Sequence, residues 1–181
     1  MNPLKIIEKY YDVRSEVYQI LINHSRNVAD KALAIAKTHP EMNLDLTFIE
    51  EASMLHDIGI RYCHAPDIDC HGTYDYLCHG YLGAELLQKE GLPRHASVCE
   101  RHTGTGISVE MIIEEKLPLP HRDFLPVTME EQLICFADKF FSKTKPNQEK
   151  SILHIQESLY RHGEDMVSRF NQWCKLFLRY E

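Results

Sequence analysis

The chain reads as an all-α protein, and three observations predict it. Apolar residues recur three and four apart through most of its length, alternating runs of β-branched residues are scarce, and Pro and Gly stand at intervals suited to helix ends. With 181 residues, 44% of them hydrophobic, one globular domain spanning 1–181 is expected, since ~100–200 residues suffice to bury a real core.

A short helix is predicted over 2–11 and a long one over 14–38, closed at Thr38-His39-Pro40 because proline cannot continue it. Asp45 offers a cap to a third helix, which Gly59 should end. The polar stretch over 61–76 reads as a loop with the length of a lid or site wall. Helices over 77–90 and 94–103 follow, divided by Gly91-Leu92-Pro93, and then a weaker one over 108–115. Leu117-Pro118-Leu119-Pro120, with Pro126 beyond, is too rich in proline for a helix or a central strand and reads as ordered loop. Thr128-Met129-Glu130-Glu131 supplies the cap and first-turn acids of another helix. A long last helix over 147–179 carries the stripe Ile152, Ile155, Leu159, Met166, Phe170, Trp173 and Phe177, with Gly163 as a bend. That stripe should pack on the domain or on a second copy, which leaves a homodimer open. No internal repeat or low-complexity segment stands out.

Composition narrows the function classes. A net charge of −7 without a basic run argues against binding a nucleic-acid polymer, because neutralising a phosphate backbone takes clustered Lys and Arg. A small anionic substrate stays open, held by local charge. No apolar run approaches the ~20 residues of a membrane span, and Met1-Asn2-Pro3-Leu4-Lys5 does not read as a signal peptide, so a cytoplasmic protein with no membrane partner is expected. The six Cys lack disulfide-scaffold or zinc-ribbon spacing and should be reduced, buried small hydrophobes. Cys63 to His79 is dense in ligand-type residues, which read as loop polarity apart from His79.

The chemistry concentrates in His24, the pair His56-Asp57 and Asp138. Each falls on an apolar helical stripe: His24 with Val17, Ile20, Leu21, Val28 and Ile35; His56 after Ile49 and Ala52; Asp138 between Ile134 and Phe141. Ionisable groups on a core face need partners, and one cation serves all four. Two His and two Asp suit a borderline divalent metal, with coordination positions left for water and substrate.

In these residues, in that order, the chain resembles the HD-domain metal-dependent phosphohydrolases, and Ile58-Gly59 extends the pair as that family often does. The resemblance covers about residues 15–145. It implies a compact HD-domain helical bundle around a central metal, and hydrolysis of phosphate esters or anhydrides. Some members hold a second metal through further His in the interval, with the Asp of the pair bridging. Here those residues would be His79, on a stripe with Leu82 and Leu86, and His102, with Val98 and Cys99. The segments Cys78 to Ala84 and Arg101 to Gly106 are similar to those of HD enzymes that cleave diadenosine tetraphosphate symmetrically. The adjacent His-His pair and Gly-Tyr-Pro signature of the cyclic-dinucleotide hydrolases are missing, since Arg101 precedes His102 and Leu82 follows Gly80-Tyr81. One metal, with His79 and His102 as acid–base or supporting groups, stays open beside two. Gly104 and Gly106 suit either a phosphate-approaching backbone or a loose helix end.

The expected activity is release of phosphate from a nucleotide or other small phosphorylated metabolite, with hydroxide on the metal as nucleophile. The metal would be Fe, Mn, Zn, Co or Ni, one or two ions per chain. Asp57, Lys139, His79 and His102 are the catalytic candidates. Lys139, Arg61, Arg101 and Arg122, with Lys143, are the candidate substrate-binding cations. The alternatives are a non-catalytic metal- or nucleotide-binding module of the same fold, or a di-iron oxygenase.

Overall fold

The computed structural model describes residues 1–146 and 148–178. Its helices start where short polar side chains accept the unpaired N–H groups of a first turn. Asn2 caps α1 (Pro3–Ile7), Ser15 caps α2 (Glu16–Thr38) and Asp45 caps α3 (Leu46–Leu55). Gly91, at φ 75°, and Pro93 separate α4 (His79–Lys89) from α5 (Pro93–Arg101). Ser108 caps α6 (Val109–Glu114), Thr128 caps α7 (Met129–Asp138) and Ser151 caps α8 (Ile152–Tyr160), and α9 (Glu164–Phe177) follows.

The all-α expectation holds. The one sheet among the described residues is a small antiparallel hairpin, β1 (His64–Ala65) with β2 (Cys70–His71), inside the stretch expected to be a loop. No helix among the described residues is long and apolar enough to cross a membrane. All six cysteines are buried and free.

Three boundaries differ from expectation, each for a physical reason. The first helix stops at Ile7 rather than near 11, because the chain then turns to bury Tyr11, whose hydroxyl donates to the Ile58 carbonyl at 2.7 Å. The third helix ends at Leu55, and residues Ile58–Tyr62 run on as a 3-10 helix. Gly59 is therefore no left-handed stop. A Cβ there would lie 2.1 Å from the His79 carbonyl oxygen and 2.5 Å from the Gly83 nitrogen, so its absence lets this turn lie against α4. The single last helix is two, α8 and α9, broken where Gly163 adopts φ 127°; positions 147 and 179, its expected ends, lie outside the described residues. Its stripe packs on the chain's own core: Ile155, Leu159, Met166, Phe170, Trp173 and Phe177 join Phe136 and Ile134 of α7.

The buried side chains form two clusters. One gathers α1, the start of α2, the exit of α3, α4 and α5 around Leu21, Leu55, Ile58 and Leu87. The other gathers the rest of α2 with α7, α8 and α9 around Val28, Phe136 and Phe170. On α2, His24 lies between Leu21 of the first cluster and Val28 of the second, where the polar residues of the molecule's interior meet.

Candidate metal centre

Helix ends deliver most of the candidate ligands. His56 and Asp57 leave α3, His102 closes α5, Asp138 is the last residue of α7 and His79 the first of α4. The last carbonyls of a helix lack partners within it, and imidazole rings take them here. His56 Nδ1 lies 2.6 Å from the Ser53 carbonyl oxygen and His102 Nδ1 2.7 Å from that of Cys99. His79 Nδ1 is 2.6 Å from the Tyr76 carbonyl oxygen, and the Tyr76 ring stacks on His79 at 4.7 Å. A carbonyl can only accept, so each Nδ1 carries a proton and each ring turns its Nε2 inward.

Those Nε2 atoms converge on Asp57, which is fully buried. Its Oδ2 lies 3.2 Å from His24 Nε2 and 3.0 Å from His56 Nε2. Its Oδ1 lies 3.3 Å from both His79 Nε2 and His102 Nε2. Asp138 Oδ1 completes the first side, 2.9 Å from His24 Nε2 and 3.5 Å from that of His56. One carboxylate thus faces two groups with opposite oxygens: His24, His56, Asp57 and Asp138 in one, and Asp57, His79 and His102 in the other. The ligand atoms of each group lie within 4.8 Å of one another.

Both groups fit a divalent cation. His56 Nε2 and Asp57 Oδ1 are buried and make no hydrogen bond, a costly state for polar atoms. His79 Nε2 and His102 Nε2 stand 3.0 Å apart, and two inward lone pairs at that distance repel unless a proton or a cation lies between. The C-terminal ends of α3, α5 and α7, which carry partial negative charge, all abut this point and favour a positive charge there.

Electrostatics separate the rings. Burial would depress His56, but the carboxylates of Asp57 and Asp138 reverse this and raise it to about 9. Burial brings His102 down to about 4. Asp57 is held well below the usual carboxylate range: burial opposes ionisation, and His56 and Lys143 outweigh it. Asp138 is likewise held low against burial, chiefly by Lys139 and His24.

A cavity of about 460 Å³ opens beside His24 and Asp138. The β1–β2 hairpin contributes Asp67 and Ile68 to its wall, Tyr76 and Gly104 lie on it, and the segment after α7 supplies Lys139, Lys143 and Lys150. Lys139 Nζ is 2.9 Å from Asp138 Oδ2, and Lys143 Nζ is 2.6 Å from Asp57 Oδ2. The other candidate cations lie elsewhere. Arg61 sits over the rings of Tyr10, Tyr11 and Tyr62, Arg101 donates to both Glu131 oxygens at 3.1 and 3.0 Å, and Arg122 pairs with Glu100. None of the three lines this cavity. Tyr76 lies in the stretch expected to form a site wall, and Ile155 and Leu159 belong to the stripe expected only to pack; no spacing in the sequence links Lys150 to the His and Asp pattern.

The HD domain family matches residues 21–142, a span that contains every one of these His and Asp residues. The chain belongs to the HD domain family. Three relatives of this HD chain are archaeal. A tRNA (cytidine(56)-2'-O)-methyltransferase of Thermoplasma volcanium is 34% identical over 126 residues, which cover 69% of this chain and 32% of that protein. An uncharacterized protein of Methanocaldococcus jannaschii is 34% identical over 128 residues, covering 69% of this chain and 68% of that protein. A tRNA (cytidine(56)-2'-O)-methyltransferase of Picrophilus torridus is 30% identical over 144 residues, covering 79% and 38%. The HD chain thus spans about a third of the length of these two methyltransferases. No solved structure matches.

Proposed function

We propose that this HD chain is a metal-dependent phosphohydrolase that releases phosphate from a small phosphorylated metabolite of nucleotide size. The observation that carries this is Asp57, whose two oxygens face separate sets of inward imidazole nitrogens. His24, His56, Asp57 and Asp138 would hold one divalent ion, and Asp57, His79 and His102 a second. Such ions supply positive charge to a phosphoryl oxygen and acidify water.

The chain's own groups do the rest. The Ser53, Tyr76 and Cys99 carbonyls hold the Nδ1 protons of three rings, so each ring already points its Nε2 at the site. Lys139 and Lys143, largely buried at the cavity, present ammonium groups where negative charge develops on a transferring phosphoryl group. Ile68, Phe141 and Leu159 form an apolar wall for the organic part of a substrate.

The test is phosphate release from a panel of nucleotides and sugar phosphates by anaerobically purified chain reloaded with Fe²⁺ or Mn²⁺. Hydrolysis that disappears in Asp57→Asn along with the metal supports the reading. Bound metal with no hydrolysis of any member points to a binding module, and oxygen consumption with an organic substrate points to an oxygenase. The relatives' names favour a second reading, participation in tRNA 2'-O-methylation. Methyl transfer to tRNA from S-adenosylmethionine by this chain alone would establish it.

A further inference from the structure

The cavity beside the metal centre has two origins. One side comes from the segment matched to the HD domain family, residues 21–142. The other comes from beyond it: Thr144, Lys150, Ile155, Leu159 and His162, on the loop before α8, on α8 and just past it. The metal groups belong wholly to the first side, so the second is free to set what the cavity accepts.

Charge singles out one residue there. Lys139 and Lys143 each have a carboxylate, Asp138 and Asp57. Lys150 has none among the described residues. Its Nζ donates to the Phe141 carbonyl at 2.9 Å, and the neighbouring Glu149 is taken by Lys31. An ammonium has three N–H donors, so at least one hydrogen-bonding direction remains for a ligand. Burial lowers the pKa of Lys150; the more distant Asp138 carboxylate opposes this and the ammonium groups of Lys139 and Lys143 add to it, an environment that an incoming anion relieves. A half-buried cation on a cavity wall with no carboxylate at ion-pair distance gains from an anion that comes with the substrate.

We infer that Lys150 is a specificity-determining residue, which binds a second anionic group of the substrate, apart from the phosphate that the metal centre takes. This rests on the phosphohydrolase reading for the identity of the first group. The second is a phosphate or a carboxylate on the same small molecule, carried past the apolar wall of Ile155 and Leu159.

The test measures binding without turnover, with probes whose C–P bonds resist hydrolysis: propylphosphonate with one anionic group, and propane bisphosphonate and phosphonopropanoate with two. Calorimetry is run on the full chain, as purified and after Mn²⁺ loading, with unfolding temperature and metal content checked for each variant. Lys150→Gln keeps a donor for the Phe141 carbonyl and removes the charge. It should weaken the doubly anionic probes about tenfold, the scale of one hydrogen bond to a charged group, and propylphosphonate less than about twofold. Lys150→Arg should restore most of the loss, which a merely structural role would not predict. Loss on the bisphosphonate alone marks the second group as phosphate, and loss on both probes marks any anion. Equal loss on all three probes, or none, overturns the inference. Selective loss in a chain that hydrolyses no phosphomonoester would leave Lys150 in this role and overturn the hydrolase reading instead.

Discussion

Lys143 Nζ stands 2.6 Å from Asp57 Oδ2, the carboxylate oxygen that also faces His24 and His56. The ammonium, only 12% exposed, neutralises a buried acid at the point where a cation of the first group would share the same oxygen. Asp57 raises the pKa of Lys143 against the effect of burial, so the ammonium keeps its proton through the physiological range. Lys143 and a metal held by the first group would therefore compete for one oxygen.

Lys143→Met should bind divalent metal several-fold more tightly than the unaltered chain, because the competing charge is gone. The same change should raise KM for a phosphorylated substrate, since a cation facing the phosphate is lost. Chelator competition with Mn²⁺ reads the first effect. Weaker metal binding in the variant would show that Lys143 supports the site rather than competing for it.

The two faces of Asp57 predict separable ions. His79→Ala removes a ligand of the second group and leaves His24, His56 and Asp138 in place. Metal content should drop by about one ion per chain, and magnetic coupling between paired Mn²⁺ ions should vanish from the resonance spectrum. Unchanged stoichiometry with slower turnover would place His79 in an acid–base or supporting role.

Gly83 and Gly59 set how closely the exit of α3 approaches α4. A Cβ on Gly83 would lie 2.5 Å from Cys99 Sγ and 2.9 Å from the Gly59 nitrogen. Gly83→Ala should cost about 1–3 kcal/mol as an overpacked core site, which for a chain of this length lowers the melting temperature by several degrees. The second metal group should also weaken, because His79 rides on α4 and Asp57 on the turn it presses against. A melt within a degree of the unaltered chain would mean the contact relaxes freely.

His95 gives the stability a pH dependence remote from the metal groups. It packs edge-on against Phe48 at 5.0 Å and lies 3.3 Å from Glu51. Burial lowers its pKa in the fold, and Glu51 offsets this only in part. The unfolded chain then binds the proton more readily than the folded one, so this contribution is complete above about pH 6.5. It is lost as pH falls from there through the lowered folded value. Denaturant midpoints for the unaltered chain and His95→Gln between mildly acidic and neutral pH should converge as pH falls. Parallel curves would remove His95 from the account.

Much of the fold was legible in the chain because its signals are local. Asp45, Thr128 and the Gly91–Pro93 pair act within one turn of their own position, and each marks a real helix boundary. Gly59 misled because glycine serves two purposes: a left-handed stop is a local property, whereas room for α4 exists only once Gly83 has arrived. Gly163 raised the question of a bend, but a full break required α9 to lie on Phe136 and α8 to return along the cavity.

What the sequence determined by itself was the membership of the centre: His and Asp residues on apolar stripes have to be buried together, and burial without partners is too costly to be accidental. Tertiary structure alone decided their arrangement. It turned opposite oxygens of Asp57 toward different rings, occupied Arg101 with Glu131, and brought Lys143 and Lys150 to the cavity. Periodicity reports which face of a helix is buried, but the direction of a lone pair and the choice of a counter-ion depend on distances of a few ångströms between residues far apart in the chain, and those are set only when the helices pack.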